Sequence, residues 1–332
     1  MRFFLVIYFC FNLCSLNSYS QNKKFIKAIY DPIKKDNHYI LSSGKKVGID
    51  SVFLFDFSAD CESDSKIRFY DKKTDRVGFL SNSGKVVIPA IYNHAGQFLN
   101  GFAIAMKDGK RMCDDEHEFS SSNPCEHWFW KGNLVLINDK NEILLEHQEI
   151  VNFYNLDWFS IKNNAVGTDS TYKNFQLKNG SKISIKKLDV EFKNWFHNEF
   201  LPLAKTNTLK KFLFSELTLV KNNRWILSKT DTTDFIDYAW FNAEASAFYK
   251  QNSTTLFEYL RSIEKEGFNI GYSTSEPLFL SQKKFPIYFD NCGKLKANFP
   301  CFEVTVTYKD YRVYHTFVFL RTEIGYRLIQ IS

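Results

Sequence analysis

The chain lacks the sequence signatures of the common enzyme classes. Its 332 residues contain no G-x-S-x-G motif, no phosphate-binding P-loop, no G-x-G-x-x-G dinucleotide motif and no H-E-x-x-H zinc motif. Each of these motifs sets reactive or ligand-binding groups at a fixed spacing, so their absence leaves no reaction, catalytic residue or cofactor to assign. We therefore expect a protein that is not an enzyme and that carries no cofactor.

Basic tracts and long apolar runs are also scarce. The net charge of +6 is spread along the chain without a dense run of Lys and Arg, which argues against a nucleic-acid partner. The apolar run of residues 3–13 is shorter than the roughly 20 residues of a membrane-spanning helix. Arg2 precedes this run and the small residues Ser18 and Ser20 follow it, as in a secretory signal peptide. We therefore expect residues 1–20 to be removed on export, leaving a periplasmic, cell-surface or extracellular protein with no membrane span.

Cysteines are few, and two of the seven lie in the predicted signal peptide. Export permits disulfide bonds between the others. Cys113 with Cys125, and Cys292 with Cys301, are each close enough in sequence to close a short loop. These two pairs are the predicted disulfides, and Cys61 is then the odd thiol.

The stretch RVGFLSNSGKVVIPAIYN, residues 76–93, has the pattern of a β-hairpin. Strand-forming residues flank SNSGK, in which Gly84 supplies the positive φ of a tight turn. Pro89 has no N–H to donate and is expected to end the second strand. The stretch therefore predicts two antiparallel strands joined at Gly84.

This hairpin pattern occurs four times. Similar stretches surround Gly44 (LSSGKKVGID), Gly84 (LSNSGKVVIP), Asn141 (INDKNEILLE) and Gly180 (QLKNGSKISI), with tips 40, 57 and 39 residues apart. The middle interval is long because residues 111–132 form an insertion. A short meander cannot bury its apolar face alone, so the pattern predicts hairpins that stack on their neighbours.

Residues 76–110 resemble a WG repeat, a bacterial β-hairpin repeat with Gly-Lys-Trp-Gly at its start, a polar Gly turn, Val-Ile-Pro and then Phe-x-x-Gly-x-Ala. Gly78-Phe79, Gly84-Lys85 and Val87-Ile88-Pro89 match this pattern, whereas Val77 stands in place of the Trp. Arg111-Met112 likewise replaces Trp-Gly at the next start. The resemblance covers residues 37–187 and implies a mainly β array that offers a binding or scaffold surface.

From about residue 188 the spacing of the apolar residues changes from the alternation of a strand to the spacing of an amphipathic helix. A stripe of five residues predicts one helix, a second is predicted over residues 233–250 and a third over residues 255–267. The stripe consists of Phe192, Trp195, Phe196, Phe200 and Leu203.

Three antiparallel strands are predicted in residues 301–331. Residues 188–332 are therefore expected to form an α+β domain with helices packed on an antiparallel sheet. Its last hairpin faintly resembles the nuclear-transport-factor and polyketide-cyclase fold, which implies a pocket between sheet and helices.

The insertion holds the strongest candidates for chemistry. Cys113, His117, Cys125 and His127 are weak candidates for a zinc site, because thiolate and imidazole are zinc ligands. Their spacing does not reproduce a standard zinc finger, so a disulfide-closed loop and a plain solvated loop remain open. His197 and Glu199 are a further candidate pair for acid–base work, but no partner nucleophile is in view, and a surface or capping role is the alternative.

Together these features predict an exported, non-enzymatic interaction or scaffold protein. Its partner is expected to be a protein or a component of the cell envelope, bound on the β-repeat surface. A C-terminal domain that binds a partner or a small ligand is expected to follow the repeats. The alternative is an enzyme of unknown reaction whose ligand pocket lies in residues 188–332.

Overall fold

The computed structural model describes residues 25–33, 35–48, 51–55, 58–146, 155–204, 207–223, 237–244, 263, 267–273, 280–307 and 314–331. The predicted signal peptide lies outside these residues. The described chain is mostly β, in several small sheets. The strands of the repeat region are β1 (Ile26–Asp31), β2 (Asp36–Leu41), β3 (Lys46–Val47), β4 (Leu54–Phe55), β5 (Ser58–Ala59), β6 (Lys66–Asp71), β7 (Arg76–Ser81), β8 (Val86–Tyr92), β9 (His94–Ala95), β10 (Phe102–Cys113), β11 (Trp128–Asn138), β12 (Ile143–Glu146), β13 (Leu156–Asn163), β14 (Tyr172–Gln176) and β15 (Lys182–Lys187).

Four hairpins end in the same turn. In each, the last residue before the turn donates its N–H to the carbonyl four residues later, and its own carbonyl accepts from the N–H three residues later. The residues in this position are Leu41, Ser81, Asn138 and Leu177. The residue three positions on has φ of 80° at Gly44, 77° at Gly84, 63° at Asn141 and 84° at Gly180. The four tips identified in the sequence therefore share one local conformation, which glycine or asparagine adopts at little cost.

The sheets of the repeat region are small antiparallel meanders. Their strand orders are β1-β2-β3, β6-β7-β8 and β12-β11-β10-β9, each a run of sequence neighbours. The fourth sheet differs, with the order β13-β15-β14, so that β13 pairs with β15 rather than with β14. The fourth hairpin, β14–β15, therefore has the common turn. Its third strand, β13, pairs with the second strand of the hairpin, whereas in the other three sheets the third strand pairs with the first.

Neighbouring meanders share their cores. On β7, Leu80 packs with Ile26, Tyr39 and Ile67 towards the first meander. On the same strand Val77 and Phe79 belong to a cluster with Ala105 and Ile137 of the third. Leu136 of the third meander in turn packs with Trp158 and Phe175 of the fourth. The second and third sheets therefore bury their two faces against different neighbours, as stacked repeats do.

Gly78 shows why a residue larger than glycine does not fit at this repeat position. An added Cβ would lie 2.6 Å from the carbonyl oxygen of Ile88, 2.7 Å from the nitrogen of Ala90 and 2.7 Å from Cε1 of Phe69. Two of these neighbours are backbone atoms of β8, which cannot move away without disturbing the strand pairing. The missing side chain therefore allows β7 and β8 to approach closely.

We expect Gly78→Ala to lower the free energy of unfolding by about 1–3 kcal/mol, the usual cost of overpacking. Chemical denaturation of the purified protein measures this change. Gly96→Ala is the control, because its added Cβ would meet only the Ile104 oxygen at an ordinary 3.6 Å. Equal stability of the two variants would contradict the explanation.

The C-terminal region is built on one six-stranded sheet of order β17-β16-β21-β20-β19-β18. The three antiparallel strands predicted in residues 301–331 are present as β19, β20 and β21. β16 runs parallel to β21, so the sheet is mixed rather than antiparallel. Its strands are β16 (Leu213–Asn223), β17 (Asp237–Glu244), β18 (Asn269–Ser273), β19 (Cys301–Thr307), β20 (Tyr314–Thr322) and β21 (Gly325–Ile331).

The predicted α+β fold class of this region, with helices packed on an antiparallel sheet, is wrong. The first predicted helix is present within one helical segment, made of α1 (Leu188–Trp195), a π-helical turn (Phe196–Phe200) and α2 (Leu201–Ala204). The second, over residues 233–250, contains strand β17 instead, paired antiparallel with β16. The third, over residues 255–267, lies almost wholly outside the described residues. Short 3₁₀ turns occupy Asn207–Phe212 and Pro286–Tyr288. Within the described part of this region, one short helical segment stands where a layer of helices was predicted.

The helical segment fills the space against the C-terminal sheet with aromatic rings. The Phe192 ring stacks on Phe302, with ring centroids 4.4 Å apart. Phe196 and Phe200 belong to the same buried cluster and both contact Phe319. The resemblance to the nuclear-transport-factor and polyketide-cyclase fold implies a pocket between sheet and helices. Within the described residues, packed side chains fill this space.

Ion pairs and a disulfide join the repeat region to the C-terminal region. The guanidinium group of Arg321 on β20 lies 2.8 Å from Asp157 of β13 and 3.3 Å from Glu191 of α1. The Tyr326 hydroxyl donates a hydrogen bond to the same Glu191 carboxylate. A disulfide bond between Cys61 and Cys292 also joins the two regions.

Candidate interaction surface

The predicted insertion forms an extension of one hairpin. β10 and β11 continue their pairing past a bulge between Lys107 and Lys110 as far as Cys113 and Trp128. The Asn93 side chain holds the bulge, because its oxygen accepts from the N–H of Gly109 and its nitrogen donates to the Gly109 carbonyl. The two strands therefore continue as one hairpin into the insertion.

A bond between Cys113 and Cys125 closes the loop at the end of this hairpin, with a Cα separation of 6.1 Å. This pair is one of the two that the sequence spacing favours. The other predicted pair, Cys292 with Cys301, is wrong, because Cys292 bonds to Cys61 across 231 residues. Cys301 is the free, buried cysteine, and burial raises the pKa of its thiol. Cys61 is therefore not the odd thiol, and its partner is set by the three-dimensional fold rather than by sequence proximity.

Three of the four candidate zinc ligands lie together. Donor atoms of Cys113, His117 and Cys125 are all within 4.8 Å of one another, whereas His127 is not part of this group. The two sulfur atoms are bonded to each other and are not available as thiolates, the form that binds zinc. His117 is engaged by the Asp115 carboxylate through Nδ1. The arrangement fits a disulfide-closed loop better than a metal site.

Aromatic rings and one arginine cover a face of the hairpin end. Trp128 and Trp130, two residues apart on β11, meet edge to face with centroids 5.6 Å apart. The Arg111 guanidinium carbon lies 4.3 Å from the Trp128 ring centroid and 5.2 Å from that of Trp130. Arg111 is held there by Asp75 at 2.8 Å, and the Phe119 ring lies 6.2 Å from Trp128. We call Arg111, Phe119, Trp128, Phe129 and Trp130 the aromatic tip.

The aromatic tip is open to solvent. Trp128 is 39% exposed and Phe129, which projects from the opposite face of β11, is 47% exposed. Large apolar side chains that remain exposed together on a protein surface are typical of interaction sites. The sequence alone does not reveal this site. The alternation WFW indicates only a strand, and the contact of Arg111 with the rings depends on the pairing register between β10 and β11.

A second exposed apolar row lies on the repeat array itself. Val86, Val87 and Ile91 of β8 are exposed, although the strand pairs with β7. Ile88 and Tyr92 of the same strand point into the shared core. This edge strand therefore carries apolar side chains that remain exposed to solvent rather than packing in the core of the array.

A cavity of about 270 Å³ lies beside the third and fourth meanders. Its lining is mostly apolar and includes Phe102, Trp158 and Phe159 together with Leu188 of α1 and Ala297. Gln97, which also lines it, is engaged through its amide nitrogen with Asp60 and the Cys61 carbonyl. The lining of this cavity contains no polar side chains arranged for a reaction. His197 and Glu199, the acid–base pair of the sequence, are exposed elsewhere, with the His197 ring against Phe196 and Phe268.

His94 is expected to make stability depend on pH. Burial lowers the pKa of His94, and the nearby positive charge of Arg68 lowers it further. The unfolded chain binds a proton near pH 6.5, whereas the folded chain binds it only at lower pH. His94 therefore contributes stability above about pH 6.5 that is lost as the pH falls through its lowered folded-state pKa.

Thermal melts between about pH 7 and pH 5 measure this effect. We expect His94→Asn to flatten the fall in melting temperature with acid, whereas His127→Asn at an exposed position keeps the wild-type slope. Identical slopes in the wild type and in His94→Asn would show that another group is responsible.

Comparison with known protein families finds a match over part of the repeat region. A family model described as WG containing repeat matches residues 78–110, which in the structure run from β7 through β8 and β9 into β10. No curated protein and no solved structure matches the chain. None of the described helices is long and apolar enough to cross a membrane. The chain therefore contains a WG containing repeat at residues 78–110, and three further hairpins share the turn geometry of this repeat.

Proposed function

We propose that this protein is an exported, non-enzymatic interaction protein that uses the surface of its β-repeat array to hold a protein or cell-envelope partner. The observation that carries the proposal is the stack of hairpins around the WG containing repeat, which leaves Val86, Val87 and Ile91 exposed on β8. Repeat arrays present extended surfaces built from equivalent positions, and such surfaces are suited to binding.

One structural feature and one sequence feature support the proposed export to an oxidising compartment. Four of the five cysteines outside the predicted signal peptide are paired, and one pair links residues 231 positions apart. Disulfides persist in extracellular and periplasmic compartments and are rare in the reducing cytosol. The apolar run of residues 3–13 is the proposed export signal.

Export is tested by expressing the full chain with a C-terminal tag and fractionating the cells. We expect the tagged protein outside the cytoplasm, shortened at its N-terminus, with both disulfides formed by mass spectrometry. Full-length, reduced protein in the cytoplasm would contradict this part of the proposal.

Binding through the array is tested by photo-crosslinking in cells of the natural source. A photoreactive amino acid replaces Val87 or Ile91 on β8 and, as the control, Ile324 in the exposed turn between β20 and β21. We expect a discrete adduct of one partner from β8 and none from Ile324. Adducts from neither β8 position, or the same adducts from all three positions, would contradict an array-based interaction.

The C-terminal region is proposed to support this role through its own partner or ligand surface. The alternative, an enzyme with its pocket in residues 188–332, has no described feature in its favour, because Phe192, Phe196 and Phe200 fill the space against the sheet. Activity is best tested on the intact, oxidised protein with a broad panel of hydrolase substrates. Turnover that disappears in Glu191→Gln, at the polar junction with Arg321 and Tyr326, would favour the enzyme.

A further inference from the structure

We infer that the aromatic tip is a docking site for a basic protein segment, in which arginine or lysine side chains of the partner lie on the exposed rings. The inference rests on the proposed interaction function and names its surface and the chemistry of its partner. It is drawn from three independent features of residues 110–131: exposed rings, an acidic surround and an internal example of the contact.

The exposed rings lie on a rigid support. Paired strands hold Trp128, Phe129 and Trp130, and the Cys113–Cys125 bond fixes the chain next to them, because Cys113 is the strand partner of Trp128. Rings that are already ordered lose little conformational entropy when a partner binds. An exposed apolar surface of this kind at the end of a hairpin indicates contact with another molecule.

The surround of the tip is acidic although the chain as a whole is basic. Five carboxylates and three basic residues give residues 110–131 a net charge of −2, against +6 for the whole chain. The five carboxylates, all on exposed residues, are those of Asp114, Asp115, Glu116, Glu118 and Glu126. Complementary charge guides a basic partner to this site and disfavours nucleic acid and anionic lipid.

Arg111 shows that these rings accept a cation. Its guanidinium group already lies over Trp128 and Trp130, an arrangement in which the negative face of the ring attracts positive charge. Asp75 holds Arg111 on one side, while part of Trp128 remains open to solvent. An arginine from a partner would repeat this contact on the open part of the ring, with a carboxylate of the loop as its counter-ion.

The direct test measures fluorescence anisotropy of a short labelled peptide of alternating Arg and Ser, added to the full oxidised protein. We expect saturable binding that weakens as salt is raised, because screening reduces attraction between exposed charges. Trp128→Ala should weaken binding about fivefold, the equivalent of the ~1 kcal/mol of an exposed cation–π contact. The combined variant Asp114→Asn, Glu116→Gln, Glu126→Gln should weaken it at least as much.

Matched controls separate the tip from the rest of the surface. Ile324→Ala removes an exposed apolar side chain elsewhere, and Glu142→Gln removes a carboxylate at another hairpin turn; both should bind like the wild type. Unchanged melting temperatures show that the variants remain folded. Three results would overturn the inference. They are binding of the basic peptide by Trp128→Ala as tight as by the wild type, binding of a Glu and Ser peptide as tight as of the Arg and Ser peptide, and displacement of the basic peptide by a neutral oligosaccharide.

The crosslinking experiment distinguishes this inference from the proposed function. A photoreactive residue at Phe119, whose ring lies 6.2 Å from that of Trp128, should give the same partner adduct as Val87. Adducts from Val87 but not from Phe119 would leave the array-based function standing and reject the aromatic tip as its site. Absence of adducts at both positions would reject the proposed function itself.

Discussion

Replacing both Cys61 and Cys292 with alanine is expected to lower the free energy of unfolding by about 5 kcal/mol, because their bond closes a loop that spans most of the described chain. The two residues are 231 positions apart, and one belongs to the repeat region while the other belongs to the C-terminal region. Without the bond, the unfolded chain gains the freedom to separate these regions. Urea denaturation of the oxidised proteins measures the loss.

Cys113→Ala with Cys125→Ala is the matched control for this prediction. This bond closes a loop of only 12 residues in sequence separation, so its removal should cost about 3 kcal/mol by the same entropy argument. Greater destabilisation from the short-loop pair than from Cys61 and Cys292 would contradict the role assigned to the long-range bond. Cys301 stays unchanged in all variants, since it is buried and unbonded.

Phe192→Ala is expected to lower the free energy of unfolding by about 3–5 kcal/mol, the usual cost of deleting a buried phenyl ring. The Phe192 side chain is fully buried and packs on Phe302 and edge-on against Tyr326, 5.0 Å away. It therefore joins the helical segment to two strands of the C-terminal sheet. Its removal leaves a cavity that strands of a paired sheet cannot close.

Phe159→Ala is the control for Phe192→Ala, because the Phe159 side chain on β13 is 46% exposed. We expect it to change stability by no more than about 0.5 kcal/mol. Denaturation curves of the two variants measured side by side give the comparison. A small loss in Phe192→Ala would show that the segment from α1 to α2 is not part of the C-terminal core.

The repeated hairpins were accessible from sequence because their signal is local. A turn that needs positive φ selects glycine or asparagine at one position, and this preference marks Gly44, Gly84, Asn141 and Gly180. The insertion was visible for the same reason, as a longer interval between tips. Local pattern also placed the helix around Phe192 and the last three strands correctly.

The errors arose where distant parts of the chain decide the outcome. Residues 237–244 contain Tyr238, Trp240 and Phe241, which favour a strand, but the apolar spacing around them also fits a helix; pairing with β16 decides between the two. Cys292 lies near Cys301 in sequence, yet the fold brings it to Cys61. The contact of Arg111 with Trp128 likewise depends on strand register, which no local pattern contains.

Hydrogen exchange of two variants on β7 tests most directly the central claim that the hairpins are stacked units which bury their apolar faces against their neighbours. Phe79 packs towards the third meander and Leu80 towards the first. We expect Phe79→Ala to accelerate amide exchange in β10 and β11, and Leu80→Ala to accelerate it in β1 and β2, in addition to β7 itself. If both variants instead loosen the same strands, or only their own hairpin, the hairpins are not coupled through shared cores and the repeat-array account is wrong.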